Sequence, residues 1–269
     1  AMAVGVTAEQ RSMSTPIKVG VVGAGGRMGA TVCGAVAADP ALRLVAAVDP
    51  KAVGQQVHGV AIAGELRALA DAGAEVVVDF TVADSARVTL PWLAMHGMHA
   101  VVGTTGFTST DLADFRGAFS GSNCLIAANF AISAVLMMRF AELAAPFFDT
   151  AEIIELHHDQ KIDAPSGTAV ATANRMAAAS AEWAADPTQH EVFPGARGGV
   201  GPAGIHLHAV RMRGMMAHQE VILGAQGQTL TIRQDSYDRS SFMPGVVLAC
   251  KHIAEHPGLT IGLDPFLGV

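Results

Sequence analysis

Short apolar runs alternate with helix-like segments from Pro16 to Asn129, and this alternation is the strongest constraint on the fold. The apolar runs predict buried strands at 17–22, 42–48, 75–80, 99–103 and 124–128. The segments between them predict helices at 26–38, 64–72, 84–96 and 109–119. Strands that alternate with helices pair in parallel through right-handed crossovers. The pattern therefore predicts an α/β fold, a Rossmann-like doubly wound parallel sheet, over residues 16–129.

The pattern changes after Asn129 and predicts a second, α+β domain over residues 130–240. Helices are expected at 130–147 and 166–181, a strand at 151–158 and a Gly- and Pro-rich loop at 184–204. Strands at 205–214, 218–227 and 228–236, joined by glycine-containing turns, are expected to form an antiparallel run within a mixed or antiparallel sheet. A helix at 240–255 predicts that residues 241–269 rejoin the first domain, and residues 1–15 are expected to be a disordered extension.

Composition and charge exclude several classes of protein. The net charge is −7 and no basic cluster occurs, which disfavours nucleic-acid binding. Although 51% of the residues are hydrophobic, no apolar run reaches the ~20 residues of a membrane-spanning helix, so no membrane partner is expected. Cys33, Cys124 and Cys250 lack the spacing of a zinc site, which favours a reducing cytoplasm. His206 and His208 share one strand face but have no third ligand in register, so no metal site is predicted.

A glycine-rich loop, GAGGRMG at 23–29, follows the first strand and opens the first helix. Its glycines allow a tight turn and a close approach of the backbone to a pyrophosphate, which the amide groups of a helix N-terminus attract. The cofactor-binding candidates in this loop are Gly23, Ala24, Gly25, Gly26, Arg27 and Met28. A ligand-free turn between a strand and a helix would have the same glycine spacing.

An acid, Asp49, follows the second predicted strand. A carboxylate at this place hydrogen-bonds a ribose hydroxyl in dinucleotide sites, so Asp49 joins the cofactor candidates. Because the carboxylate would repel the extra phosphate of NADPH, it favours NADH as the cofactor. Arg27 and Lys51 lie close in sequence and keep NADPH possible, unless both are ordinary solvated charges.

Two later strands also end in small or polar residues. Gly103, Thr104 and Thr105 follow one strand, and the other is followed by Ala127, Ala128, Asn129 and Phe130. Ligands of open parallel sheets bind beyond the carboxyl ends of the strands, so both segments are predicted to line the nicotinamide side of a dinucleotide site. Two tight strand–helix connections would fit these residues equally well.

The densest polar chemistry lies between residues 157 and 168. The candidates there are His157 and Lys161 for catalysis and His158, Ser166, Gly167 and Thr168 for substrate binding. A histidine can exchange a proton near neutral pH, and a lysine can bind a carboxylate. Ser166 is a natural cap for the following helix, whose first amide groups can hold an anion. The stretch predicts an anion site with a proton donor, although a polar strand end followed by a capped helix also fits.

Five segments occur in the order and context of one known family. They are GAGGRMG at 23–29, DFT at 79–81, GTTGF at 103–107, AANF at 127–130 and HHDQKIDAPSGTA at 157–169. Over about residues 17–267 the chain resembles the 4-hydroxy-tetrahydrodipicolinate reductases, above all actinobacterial members, and the HHxxKxDAPSGT element is the specific part. The resemblance implies NAD(P)H-dependent reduction of 4-hydroxy-tetrahydrodipicolinate to tetrahydrodipicolinate, with loss of water, in the diaminopimelate and lysine pathway.

The resemblance also implies roles for individual residues. His157 would be the proton donor and acceptor, and Lys161 a second donor that contacts a substrate carboxylate. His158, Gly167 and Thr168 would contact the cyclic dicarboxylate substrate, and the cofactor candidates named above would contact NADH or NADPH. Members of the family are typically homotetramers built through the sheet of the second domain.

Two positions depart from the family pattern. Gln160 replaces a third histidine that some members carry, so it is assigned no catalytic role. Pro50 stands where other members place an arginine beside the ribose acid, which leaves Asp49 as the main determinant of cofactor choice. Two alternative functions remain, another NAD(P)-dependent dehydrogenase of similar architecture and a non-catalytic dinucleotide sensor. The presence of both His157 and Lys161 favours the reductase.

Overall fold

The computed structural model describes residues 15–269, which divide into two compact units. The first unit holds the described chain up to Ala128 together with Val246–Ile261, and the second holds Asn129–Gly245 with Gly262–Val269. The expected disordered extension lies outside the described residues, apart from Thr15. Within residues 15–269, no helix has the length and hydropathy of a membrane span.

The described part of the chain forms thirteen strands and eight α-helices. The strands are β1 Ile17–Val22, β2 Leu42–Val48, β3 Gln56–Val57, β4 Val60–Ala63, β5 Val76–Asp79, β6 His99–Val102, β7 Cys124–Ile126, β8 Thr150–His157, β9 Gly199–Val200, β10 His206–Arg211, β11 Ala217–Ala225, β12 Gln228–Ser236 and β13 Leu259–Ile261. The helices are α1 Arg27–Ala38, α2 Arg67–Asp71, α3 Ala83–Met95, α4 Ser109–Ala118, α5 Ile132–Ala144, α6 Gly167–Ala179, α7 Met243–His252 and α8 Asp264–Leu267.

The eight-stranded sheet of the first unit has the order β13-β7-β6-β5-β1-β2-β4-β3. Its strands pair in parallel except for β3, which is antiparallel to β4. The chain starts in the middle at β1, winds to one edge through β2 and β4, then returns to β5 and winds to the other edge. The carboxyl ends of β1 and β5 are therefore the switch point at which open α/β sheets bind ligands. The predicted Rossmann-like doubly wound sheet is confirmed.

The central strands of this sheet are buried on both faces, as parallel strands between helix layers usually are. Val76, Val77 and Val78 of β5 are all buried. Helix α2 approaches β1 so closely that a Cβ atom at Gly20 would lie 2.4 Å from Cδ2 of Leu69. A larger residue at position 20 would therefore push this helix away from the sheet.

One short hairpin and one short strand of the first unit have no counterpart among the predicted elements. Strands β3 and β4 form a hairpin whose two turn residues, His58 and Gly59, have φ values of 45° and 81°. A two-residue turn with positive φ at both positions matches the natural twist of a hairpin. Strand β13 has three residues and extends the sheet beyond β7. Both elements are too short to produce a periodic hydrophobic pattern.

The second unit contains a five-stranded mixed sheet in the order β12-β11-β8-β10-β9, against which α5 and α6 pack. The expected antiparallel run over 205–236 is correct for β11 and β12 but wrong for β10, which pairs with β8 in parallel. The segment between β8 and β10 contains α6 and is long enough for a parallel crossover. The link 212–216 passes the end of β8, where the N–H of Met212 donates to the carbonyl oxygen of His157 at 3.1 Å. Strands β10 and β11 therefore flank β8 instead of pairing with each other.

Residues 262–269 belong to the second unit, whereas the sequence places them with the first. The guanidinium of Arg175 lies 2.7 Å from Asp264 and 2.8 Å from Glu142, so α8 is tied to α5 and α6. Residues 241–245 also belong to the second unit, and a Cβ atom at Gly245 would lie 2.1 Å from the carbonyl oxygen of Phe130. These long-range contacts have no local signature in the sequence.

Candidate active site

The glycine loop lies at the switch point of the first unit, between β1 and α1. Gly23 has a φ of +80°, which residues with a side chain rarely adopt. A Cβ atom at Gly29 would lie 2.0 Å from the carbonyl oxygen of Gly23, so the helix can approach the strand only without a side chain there. Gly26 precedes α1, and no side chain among the described residues caps this helix. The amide groups of its first turn are thus available to an anion.

Asp49 stands beside this loop at the end of β2. Its carboxylate accepts hydrogen bonds from the N–H of Gly25 at 3.1 Å and from the N–H of Lys51 at 2.9 Å. A Cβ atom at Gly25 would lie 2.9 Å from Oδ2 of Asp49, so the backbone and the carboxylate are in close contact. Among the candidates in this loop, Gly25, Gly26 and Arg27 are exposed. Gly23 and Met28 are half-buried, and Ala24 is buried. The structure thus brings the loop candidates and Asp49 together.

The buried carboxylate of Asp79 connects the loops that follow β5 and β6. Its Oδ1 accepts hydrogen bonds from the N–H and the hydroxyl of Thr81, at 2.9 and 2.7 Å, and from the hydroxyl of Thr104 at 3.0 Å. Thr104 is therefore buried with its side chain turned towards Asp79, while Thr105 is exposed and Gly103 half-buried. Burial raises the pKa of Asp79 against the lowering effect of these hydrogen bonds. Its Oδ2 has no partner among the described residues.

The segment 127–130 contains the boundary between the two units, which falls after Ala128. Ala127 and Phe130 are buried, Ala128 is exposed and Asn129 is half-buried. The Nδ2 of Asn129 donates to Oγ1 of Thr168 at 3.3 Å. Within the second unit, this cofactor candidate therefore contacts one of the substrate candidates.

His157 is the last residue of β8 and lies on the same face as Ile153 and Glu155, because strand side chains alternate. Its Nδ1 lies 2.5 Å from Oε2 of Glu155. Burial lowers the pKa of the His157 imidazole, the Glu155 carboxylate opposes this effect, and the net pKa is below the ordinary value. The cations Lys161 and Arg211 add to the lowering. The imidazole is therefore mostly neutral at neutral pH.

Arg211 lies opposite His157 in the parallel pairing of β10 with β8. Its Nη1 and Nη2 donate to Oε2 and Oε1 of Glu155, both at 2.7 Å, and Nη2 also donates to the carbonyl oxygen of Asp163 at 2.7 Å. Burial raises the pKa of Glu155, whose side chain is 0% exposed, but the hydrogen bonds from Arg211 and His157 outweigh burial and lower it below the ordinary value. Glu155 is therefore ionised although it is buried.

The start of α6 presents free backbone amides next to this carboxylate. The N–H of Ser166 donates to Oε1 of Glu155 at 3.0 Å, and the hydroxyl of Ser166 accepts from the N–H of Ala169 at 3.2 Å. Ser166 is buried, so its side chain serves as the helix cap. The amides of Gly167 and Thr168 have no acceptor in the part of the chain that the structure describes. These two amides can bind an anion such as a carboxylate.

Lys161 and His158 lie in the turn that follows β8. The Nζ of Lys161 lies 2.8 Å from each carboxylate oxygen of Asp163. His158 is exposed, and its Nδ1 accepts a hydrogen bond from the N–H of Gln160 at 3.3 Å. Its Nε2 is left for a ligand.

These residues line two cavities of the second unit. The larger one has a volume of about 410 Å³ and is lined by His157, His158, Lys161, Asp163, Arg239 and Phe242, among others. A volume of this order suits a small organic ligand. The smaller one, of about 40 Å³, shares His157 and is lined by Ser166 and Thr168. Five of the six candidates between residues 157 and 168 therefore line one cavity or the other, and Gly167 is exposed beside them.

The side chains of His206 and His208 contact carboxylates on the other face of the sheet. The Nε2 of His206 lies 3.2 Å from Asp186, and the Nε2 of His208 lies 2.6 Å from Glu152. Within residues 15–269, no three side chains of His, Cys, Asp or Glu are grouped as metal ligands.

Four residues, one in the first unit and three in the second, support the candidate residues of their own unit but were not predicted from the sequence. They are Asp79, Glu155, Arg211 and Arg239. Asp79 is an acid at the end of an apolar run, and Glu155 precedes His157 by two strand positions, so each carried a local signal. The two arginines are brought to the site by strand pairing and by the turn after β12, and neither has a signal in the local sequence.

Comparison with known proteins decides the family. A family model described as the N-terminus of dihydrodipicolinate reductase matches residues 17–130, and one described as its C-terminus matches residues 133–267. The chain belongs to the dihydrodipicolinate reductase family. This confirms the resemblance seen in the sequence.

Members of the dihydrodipicolinate reductase family match nearly the whole chain. The 4-hydroxy-tetrahydrodipicolinate reductases of Corynebacterium aurimucosum and Corynebacterium urealyticum are 53% and 50% identical to it over 259 residues, which is 94% of this chain and 99% of each relative. A solved dipicolinate-bound dihydrodipicolinate reductase from Paenisporosarcina sp. TG-14 is 36% identical, with a TM-score of 0.86 over 93% of this chain and 99% of that one.

Proposed function

We propose that the protein reduces 4-hydroxy-tetrahydrodipicolinate to tetrahydrodipicolinate with NADH or NADPH, in the diaminopimelate and lysine pathway. The observation that carries this proposal is the joint placement of His157 and Lys161 on one cavity, next to the free amides that open α6. The reaction needs a proton donor and groups that bind a dicarboxylate, and this cavity offers both. The names of the family members support the same reaction.

The first unit fits a dinucleotide. A side chain at Gly25 would collide with Asp49 and one at Gly29 with the backbone of Gly23, so the tight turn of the loop requires glycine at both positions. The residues that would hold the cofactor are the loop 23–28, with its free helix amides, and Asp49 for the ribose. When bound, the reduced nicotinamide supplies the hydride. The carboxylate of Asp49 favours NADH over NADPH, because it would repel an additional phosphate on that ribose.

In the second unit, the substrate carboxylates are held by two kinds of group. The amides of Gly167 and Thr168 bind one carboxylate at the helix N-terminus. Lys161 binds a carboxylate as a cation, and His158 contacts the ring substituents through Nε2. In net terms the hydride takes the place of the substrate hydroxyl group, which leaves as water with the proton that His157 donates. Lys161 is a second donor at the same cavity.

The assembly is a homotetramer built through the sheet of the second unit. The apolar residues Ile154, Leu156 and Val210 lie on the sheet face opposite Glu155 and keep part of their surface exposed, which supports an interface there.

A cytoplasmic location is supported by the three cysteines, which are unpaired thiols in the described structure.

A coupled assay tests the reaction. A synthase generates the unstable substrate in place, and oxidation of NADH is followed by its absorbance, with dipicolinate as an inhibitor. The wild-type protein should oxidise NADH only when the substrate is formed, and His157→Gln should bind NADH normally but lose most turnover. His208→Gln is the matched control, because His208 also pairs with a glutamate on the same sheet.

Each negative result separates the alternatives. NADH binding without oxidation would support a non-catalytic sensor. Oxidation driven by another small substrate, but not by this one, would support a different dehydrogenase. Equal turnover by wild-type protein and His157→Gln would refute the role of His157.

A further inference from the structure

The carboxylate of Glu155 touches both halves of the substrate site. Its Oε2 contacts Nδ1 of His157, and its Oε1 accepts the N–H of Ser166 at the start of α6. We propose that Glu155 is a positioning residue, which fixes the tautomer of His157 and holds the amides of Gly167 and Thr168 in place. The inference deepens the proposed reductase function and rests on it, because it names the residue that holds the proposed proton donor, His157, in position.

The tautomer follows from the chemistry of the pair. An ionised carboxylate can only accept hydrogen bonds, so Nδ1 of His157 must carry the proton that lies between them. In the neutral ring, Nε2 is then unprotonated, and in the charged ring it carries the proton that can be given to a substrate. A carboxylate that accepts the N–H of a histidine fixes the tautomer and the orientation of the ring, as it does for histidines that bind metals. Glu155 also favours the protonated ring and so counteracts the lowering of the His157 pKa by burial.

The second hydrogen bond of Glu155 is with Ser166, which precedes the free amides of Gly167 and Thr168. Ser166 precedes Gly167, and its N–H is fixed by the same carboxylate that orients His157. Any displacement of Glu155 would therefore move the proton donor and the helix amides together. A carboxylate that holds two functional groups affects both turnover and substrate affinity.

Arg211 stabilises the buried carboxylate of Glu155. It forms a bidentate pair with Glu155, which offsets the cost of removing a charge from water. The Nε of Arg211 is buried and has no partner in the described residues, so the guanidinium is held by Glu155 and by two carbonyl oxygens. Arg211 thus positions Glu155, and Glu155 positions His157.

The pKa of the His157 imidazole depends on several neighbouring groups. The charged and titratable groups around it are Glu155 on β8, Arg211 on β10, His218 on β11, His158, Lys161 and Asp163 in the turn after β8, and Asp238 and Arg239 after β12. Among residues 15–269, only Glu155 forms a hydrogen bond with a ring nitrogen of His157, through Nδ1. Its removal should therefore change the titration of His157 more than removal of any other group.

Steady-state kinetics over pH test the proposal. Glu155→Gln should lower kcat by about 10- to 100-fold and raise KM, and it should move the limb of the kcat/KM profile that belongs to His157 to lower pH. Glu152→Gln is the matched control, since Glu152 also pairs with an arginine and a histidine but on the opposite sheet face. The control should leave kcat and the profile unchanged, provided that its oligomeric state is that of the wild type.

A double variant separates positioning from folding. If Glu155 acts through His157, Glu155→Gln should lower kcat little further in the His157→Gln background, although it should still raise KM. An equal loss of kcat in both backgrounds, with an unmoved pH profile, would mean that Glu155 only supports the fold and would overturn the proposal.

Nitrogen-15 NMR of the wild-type imidazoles tests the tautomer without any need for activity. The neutral ring of His157 should carry its proton on Nδ1, and a proton on Nε2 would overturn the proposal. If the wild-type protein showed this tautomer but no reductase activity, the proposed function would fail while the positioning by Glu155 would hold.

Discussion

The Nζ atom of Lys161 lies 2.8 Å from both carboxylate oxygens of Asp163. The side chain of Lys161 is 20% exposed and that of Asp163 is 59% exposed, so water weakens the attraction between them. The Lys161 ammonium nevertheless lowers the pKa of Asp163. A substrate carboxylate must therefore compete with Asp163 for the same cation.

Removal of this competitor should strengthen anion binding. We expect Asp163→Asn to bind dipicolinate about three- to tenfold more tightly, on the order of 1 kcal/mol, because Lys161 is released and a negative charge leaves the cavity. Isothermal titration calorimetry measures the change. Asp159→Asn is the control, since Asp159 pairs with Arg213 in the same turn. Weaker binding by Asp163→Asn than by the control would show that Asp163 orients Lys161 instead of competing for it.

The acidity of His157 should be visible in the pH profile of the reaction. Burial lowers the pKa of this imidazole in the folded protein. A proton donor acts in its protonated form, so kcat/KM should be highest at acid pH and fall as the pH rises through a value below about 6.5. This limb should be absent from His157→Gln. A limb that persists in the variant would point to Lys161 or to the substrate as its source.

The choice of cofactor should depend on Asp49. Because its carboxylate repels an additional ribose phosphate, Asp49→Asn should raise the ratio of NADPH to NADH affinity by about tenfold, ~1.4 kcal/mol. NADH affinity should also fall, since the carboxylate fixes the N–H of Gly25. Fluorescence titration with both cofactors gives the ratio. Asp71→Asn, at an exposed acid of the same unit, should leave the ratio unchanged, and an equal shift in both variants would contradict the role of Asp49.

The buried Asp79 should make folding stability depend on pH. Burial raises its pKa in the folded chain, so the stability that its protonated form contributes is lost as the pH rises from about 3.9 through the folded value. Asp79→Asn keeps an oxygen for Thr81 and Thr104 but removes the charge. The unfolding free energy of the variant should therefore increase relative to wild type as the pH rises from about 4 to 7.

Urea unfolding at several pH values measures this difference. Asp39→Asn should show the opposite trend. Although burial raises the pKa of Asp39, its hydrogen bond with Lys251 lowers the net pKa, so its carboxylate stabilises the fold above that pKa. If Asp79→Asn followed Asp39→Asn in losing stability with rising pH, Asp79 would be a paired anion rather than a buried acid.

The sequence by itself determined the features that depend on neighbours along the chain. Apolar periodicity predicted the parallel sheet, because each buried strand and each helix face is encoded within a few residues. The glycine loop and Asp49 could be predicted for the same reason, since turn geometry and a strand end are local. The cluster between residues 157 and 168 was also found in this way, and in the structure five of its six members line one of two cavities that share His157.

Only the tertiary structure decided which residues support the candidate residues of each unit. Glu155 and Arg211 are 56 positions apart, and Asp79 and Thr104 are 25 apart. Such pairs meet through strand register, and a shift by one residue would turn each side chain to the opposite face of the sheet. The placement of β10 beside β8 is of the same kind, because local sequence specifies that a strand forms but not which strand it pairs with. Burial then gave Glu155 and Asp79 their properties, since the cost of an isolated charge depends on what surrounds it.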